Sequence, residues 1–158
     1  MLTKIILILY LITTISFADK QEESTHPSYD LSLSLLQTID NDAIIFGNGK
    51  KSIYVFLDPL CPHSRKFMTL VSKNTKMTSK YQYHIFLYSI PRLKSTNVVS
   101  AIYISADPVK TLFQTMVDEK VFYDKGNEIT KAKVNRIDKV AKEMNVHKRP
   151  YIFIIDDG

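Results

Sequence analysis

The sequence predicts an α/β fold, with helices packed on a mixed sheet, and three observations carry that prediction. Short β-branched and aromatic runs recur at 43–46, 53–57, 83–88 and 151–155, and segments of helical apolar spacing lie between them. The order runs strand, helix, strand, then two or three helices, then strand, which is the alternation of a layered α/β domain. The chain has 158 residues, 45% of them hydrophobic. That suits one domain with a sizeable core and argues against disorder.

The elements follow in chain order. Residues 1–18 read as a secretory signal. Lys4 supplies the positive start, Ile5 to Ile15 a short apolar stretch, and Ser16-Phe17-Ala18 small residues at the positions a signal peptidase reads. The stretch is short for a spanning helix, which needs about 20 apolar residues. Residues 19–42 form a short N-terminal extension, polar over 19–29. Within it Leu31, Leu33, Leu35, Leu36 and Ile39 make an apolar set whose spacing does not decide between helix and strand. A domain over 43–158 follows. Gly47-Asn48-Gly49-Lys50 turns the chain between the first two strands.

A helix is predicted from Pro62 to about Lys80, with Phe67, Leu70 and Val71 on its buried face. Ser89-Ile90-Pro91-Arg92 ends the strand at 83–88. Val98–Ser105 is helical by pattern, and Asp107-Pro108 opens a further helix with proline in its first turn. Val134, Ile137, Val140, Ala141 and Met144 give the last helix its apolar stripe. The chain closes on Tyr151–Ile155 and Asp156-Asp157-Gly158, the first arm and turn of a hairpin. The second arm is missing, so a fragment or truncated reading frame is expected.

Cys61 is the single cysteine, and it stands where the run Ile53–Leu57 gives way to a turn-like Asp58-Pro59 and then to Pro62, a residue suited to a first helical turn. A thiol at a helix N-terminus meets the positive end of the helix dipole and free backbone N–H groups, which favour the thiolate. Export would place the chain in an oxidising compartment, where most cysteines occur in pairs, so an odd one marks a reactive or intermolecularly pairing thiol. The bland reading of the same residue is a small buried hydrophobe.

Other function classes find little support. The net charge of +5 is modest and the lysines lie among acidic residues, without a basic stripe, so no nucleic-acid partner is expected. His26, His84 and His147 form no metal spacing with Cys61, and neither a metal nor a cofactor is expected. No Ser-His-Asp arrangement or phosphate-binding loop is found.

From Ala43 to Gly158 the chain resembles the catalytic domain of the DsbC/DsbG family of periplasmic disulfide isomerases. The resemblance rests on Val55-Phe56-Leu57-Asp58-Pro59-Leu60-Cys61-Pro62-His63-Ser64-Arg65-Lys66-Phe67, on Ala101-Ile102-Tyr103 with Asp107-Pro108, and on Arg149-Pro150-Tyr151-Ile152-Phe153. It implies a thioredoxin-like fold with a helical insertion, here lacking the C-terminal strand and helix. It also implies that Cys61 is the nucleophile, that Asp58 fills the acidic position three residues before it, and that Pro150 is a cis-proline facing the sulfur. Arg149 departs from the family's usual neighbour, and Ser64 stands where the resolving cysteine belongs. The family's N-terminal dimerisation domain has no counterpart in residues 19–42, so a monomer is expected.

The chemistry implied is thiol–disulfide exchange or isomerisation in the periplasm through a single cysteine. Catalytic candidates are Cys61, His63, whose charge when protonated would favour the thiolate, Ser64 and Asp58. Asp58 either relays a proton or caps the turn. Arg149, Pro150 and Pro62 are the candidate substrate-binding residues. Expected partners are cysteine-containing exported proteins and a membrane or small-molecule thiol reductant. The alternative is a non-catalytic periplasmic chaperone or partner-binding module of the same fold.

Overall fold

The computed structural model describes residues 26–155. The secretory-signal reading of 1–18 and the closing Asp156-Asp157-Gly158 lie outside them. Ten elements build the domain: α1 Tyr29–Thr38, β1 Ile44–Phe46, β2 Lys51–Leu57, α2 Pro62–Ser72, α3 Thr75–Lys80, β3 Tyr81–Leu87, α4 Thr96–Ile104, α5 Pro108–Met116, α6 Glu128–Glu143 and β4 Tyr151–Ile154. The predicted α/β class is what the chain adopts.

The sheet runs β1-β3-β2-β4. β2 and β3 are parallel, while β1 on β3 and β4 on β2 are antiparallel. The two central strands are apolar without alternation, and Ile53–Leu57 and Tyr83–Leu87 are buried throughout. This is the pattern of strands covered on both faces. On one face Phe67 of α2 packs edge-on against Tyr83, and Phe46 packs against Phe113 of α5. On the other, α1 brings Tyr29 onto Phe153, while Leu36 and Ile39 are buried in the core. The apolar set at 31–39, undecided by its spacing, is therefore helical. Ser28 caps it, accepting from the Leu31 N–H.

One predicted helix divides into two. The chain leaves helical geometry after Ser72, and Asn74 caps a new short helix by accepting from the Met77 N–H at 3.1 Å. An Asx side chain that serves the backbone locally competes with helix continuation, and here it wins. The helix starts at Asp107 and Asn127 follow the same logic: each side chain accepts from the N–H three residues on. The loop between β1 and β2 tucks under β3. A Cβ on Gly49 would fall within 2.2 Å of the Lys80 carbonyl, so only glycine fits there.

Candidate active site at the β2–α2 junction

β2 ends at Leu57, the chain turns through Asp58-Pro59-Leu60, and Cys61 is the N-cap of α2 with Pro62 in the first turn. The turn closes by a 3.1 Å bond from the Cys61 N–H to the Asp58 carbonyl. The Cys61 carbonyl already accepts the first helical bond, from the Arg65 N–H at 2.9 Å. The Cys61 side chain makes no cap bond of its own. Its Sγ thus sits at the helix end, where α2 presents N–H groups without intrahelical partners.

Pro150 lies across the junction. The Arg149–Pro150 peptide is cis, as the resemblance implies, and the Arg149 carbonyl is 3.8 Å from the Cys61 Sγ. Residues 88 positions apart therefore meet at the sulfur. Arg149 touches the thiol through its backbone; its guanidinium lies over the Tyr88 ring, 3.8 Å from the centroid. Cys61 is only 4% exposed. A thiol open to solvent is the natural expectation for a reactive helix-end cysteine. Instead the carbonyl of the facing segment packs on the sulfur.

Asp58 is fully buried beneath the site, and its carboxylate accepts three hydrogen bonds. Leu60 N–H donates at 2.8 Å, and Ile90 N–H and the Ser95 hydroxyl donate to the other oxygen. It ties the cysteine loop to the turn after β3 and to the start of α4. Three donors fill most of the acceptor sites of the buried carboxylate and offset its desolvation. Ser95 and the Ile90 N–H have no signal in the sequence that would pair them with Asp58. They are 37 and 32 positions away, and only the fold brings them there.

Ser64 is also fully buried, and its hydroxyl accepts from the Asp58 N–H at 3.3 Å. Its recorded bond is to the loop backbone and not to the thiol. His63 and Pro62 are exposed on the first turn of α2, and His63 makes no hydrogen bond or ion pair among the described residues. The seven predicted residues divide accordingly. Cys61 and the Arg149 carbonyl meet at the sulfur, with Pro150 next in the chain across the cis bond, Asp58 and Ser64 form the packed floor, and His63 with Pro62 make the outer lip.

The other three histidines lie elsewhere. His84 Nδ1 lies 2.6 Å from Asp40 on the far side of the sheet, and the rings of His26 and His147 stack at 5.7 Å. Among the described residues no group of His, Cys, Asp or Glu could hold a metal ion, and no helix is long and apolar enough to cross a membrane.

A family model described as a thioredoxin-like domain matches residues 41–158. The fold is similar to the catalytic domain of Proteus mirabilis ScsC at TM-score 0.59 and 12% identity, over 80% of this chain and 86% of that one. It is similar to Helicobacter pylori DsbG at TM-score 0.61 and 18% identity, over 80% and 61%. The thiol-disulfide exchange protein alpha-DsbA2 from Wolbachia pipientis matches at 0.57 and 15%, over 80% and 86%. Identities this low speak for the fold alone. None of the curated proteins compared matches the chain. The family match spans most of the sequence, and the chain belongs to the thioredoxin-like domain family.

Proposed function

We propose that this thioredoxin-like chain is a single-cysteine thiol–disulfide exchange protein of the periplasm. The observation that carries the reading is the placement of Cys61 Sγ at the N-terminus of α2, 3.8 Å from the carbonyl of the cis Arg149–Pro150 segment. In the exchange step the Cys61 thiolate attacks one sulfur of a substrate disulfide. A bond forms between the Cys61 Sγ and that sulfur, the substrate S–S bond breaks, and the second substrate sulfur leaves as a thiolate. When a substrate thiolate attacks the mixed disulfide in turn, a new substrate disulfide forms and Cys61 is released as thiolate. No net oxidation occurs, so isomerisation needs no second protein cysteine.

Ser64 makes the cycle depend on an outside thiol. Its hydroxyl cannot displace the substrate, so the mixed disulfide persists until a substrate thiol, a small thiol or a partner's thiol resolves it. Pro62 and the Arg149–Pro150 backbone flank the sulfur and would hold the substrate strand. The Arg149 charge sits on Tyr88, where it supports the segment that faces the thiol. Export follows from the signal-like residues 1–18, and cysteine-containing exported proteins are the proposed partners of a monomeric chain.

The burial of Cys61 favours a second reading, in which the domain binds partners without exchange chemistry. Refolding of a disulfide-scrambled substrate in a glutathione buffer separates the two. Exchange predicts that Cys61→Ala removes the acceleration. A Cys61→Ala protein as active as the parent would establish the binding module and end the exchange reading.

A further inference from the structure

α2 has two working faces. Ser64, Met68 and Val71 are buried, with Phe67 packed beside them. Pro62, Arg65, Lys66, Thr69, Leu70 and Lys73 recur at helical spacing on the opposite side. That second face is one wall of an open groove of about 890 Å³, which continues to Lys76 and is closed on the far side by the end of α5 at Met116 and Val117. The groove begins at Leu60 and Pro62, the two neighbours of Cys61. Leu70, placed by its spacing on the buried face, is instead 59% exposed in the groove, an apolar side chain of this size left in water.

The charge is one-sided. Arg65, Lys66, Lys73 and Lys76 line the groove against a single carboxylate, Glu119. None of these four cations is ion-paired among the described residues. Arg65 is partly anchored, its Nε donating to the Pro59 carbonyl at 2.8 Å, which fixes its guanidinium beside the cysteine loop.

We propose that this groove binds an acidic stretch of the substrate polypeptide next to the cysteine that reacts with Cys61. The inference rests on the exchange reading for that cysteine and adds the class of substrate. The groove starts at Leu60 and Pro62, on either side of the cysteine, and runs the length of α2, about 16 Å from Pro62 to Lys73 at 1.5 Å per residue. An extended chain covers that in about five residues. The substrate class is therefore a polypeptide with Asp or Glu within about five residues of its cysteine and an apolar side chain among them to cover Leu70. Unpaired lysines of this kind would raise the encounter rate of acidic segments and lower that of basic ones.

The test uses two cysteine peptides alike except that one carries two Glu where its twin carries Gln, each activated as a mixed disulfide with thionitrobenzoate. The full chain reacts with both, and the ratio of their second-order rate constants is read at low and high salt. Binding of the unactivated, blocked peptides to Cys61→Ala is read by fluorescence anisotropy. The acidic twin should react and bind about tenfold better at low salt, with the advantage shrinking as salt rises. The triple reversal Lys66→Glu, Lys73→Glu, Lys76→Glu should erase or invert the ratio. If circular dichroism shows that the triple variant does not fold, Lys73→Gln should lower the ratio by about twofold.

Equal rates and equal binding for the twins would overturn the proposal, and so would an acidic preference that survives the reversal. So would selective binding to phosphatidylglycerol vesicles, or self-association sensitive to the reversal, with no preference between the peptides. Reaction with both twins at equal rates leaves the exchange chemistry and removes the groove. Preference in the Cys61→Ala protein, with no reaction in the parent, leaves the groove and removes the chemistry.

Discussion

The two sides of the β2–α2 junction are built on opposite principles. Beneath Cys61, Asp58 and Ser64 are fully buried, and the Asp58 carboxylate and backbone N–H and the Ser64 hydroxyl all have partners within the protein. On the outer side Lys66, Lys73 and Lys76 are exposed and without ion-pair partners. The floor spends its polar groups on holding geometry, and the outer face keeps its polar groups free for another molecule. A buried, satisfied carboxylate is expensive to disturb and unavailable to a ligand, whereas a solvated lysine contributes little to stability and can be replaced by a binding partner's contacts.

The largest effect expected is chemical. Cys61→Ala should form no mixed disulfide with any activated substrate, read by intact mass; an adduct on the variant would break the assignment of Cys61. Next is the floor. Asp58→Ala leaves the Leu60 and Ile90 N–H groups without their acceptor, at about 1–3 kcal/mol per orphaned donor, while the Ser95 hydroxyl keeps Ser89 as a partner. A loss of about 3–5 kcal/mol should appear as a lowered urea midpoint, while Lys66→Ala on the outer face stays within about 0.5 kcal/mol. Equal losses at the two positions would dissolve the contrast between floor and groove.

Ser64→Cys should convert the long-lived adduct into a cycling dithiol site, since the new thiol stands three residues from Cys61 on the same first turn of α2. The lifetime of the mixed disulfide without added thiol should shorten by at least about tenfold, followed by quenched-flow mass analysis. An unchanged lifetime would mean that the floor holds position 64 away from the sulfur. Arg149→Ala removes the guanidinium from Tyr88 and should cost about 0.5–2 kcal/mol of stability. The smallest effect belongs to His63→Gln. The exposed lip carries no packing, so stability should hold within about 0.5 kcal/mol, with any change confined to exchange rate.

Much of this was legible in the chain itself. The strands and the helix starts at Asp107-Pro108 and Cys61-Pro62 are local features, decided by residue type over a few positions. The pairing of Cys61 with Pro150 was reachable only through resemblance to a known family, because nothing local links positions 88 apart. One undecided stretch was settled by the fold, and the helix prediction through 62–80 gave way at two points, the break at Asn74 and the exposed Leu70. The stretch at 31–39 carries enough apolar residues for either period, and packing of Leu36 and Ile39 beneath the sheet chose helix. The helix through 62–80 broke because Asn74 offered the backbone a nearer partner.

What the sequence determined alone is the chemistry present: one cysteine at a strand-to-helix junction, a serine three residues on, and basic residues on the helix between and beyond them. What the tertiary structure decided is how that chemistry is divided. Asp58 accepts from donors 32 and 37 positions away, Arg149 meets the sulfur through its carbonyl and Tyr88 through its charge, and α5 closes the groove that α2 opens. Each of these depends on which distant segments the sheet and helices bring together. Local propensity carries no information about such meetings, because it sees only neighbours along the chain.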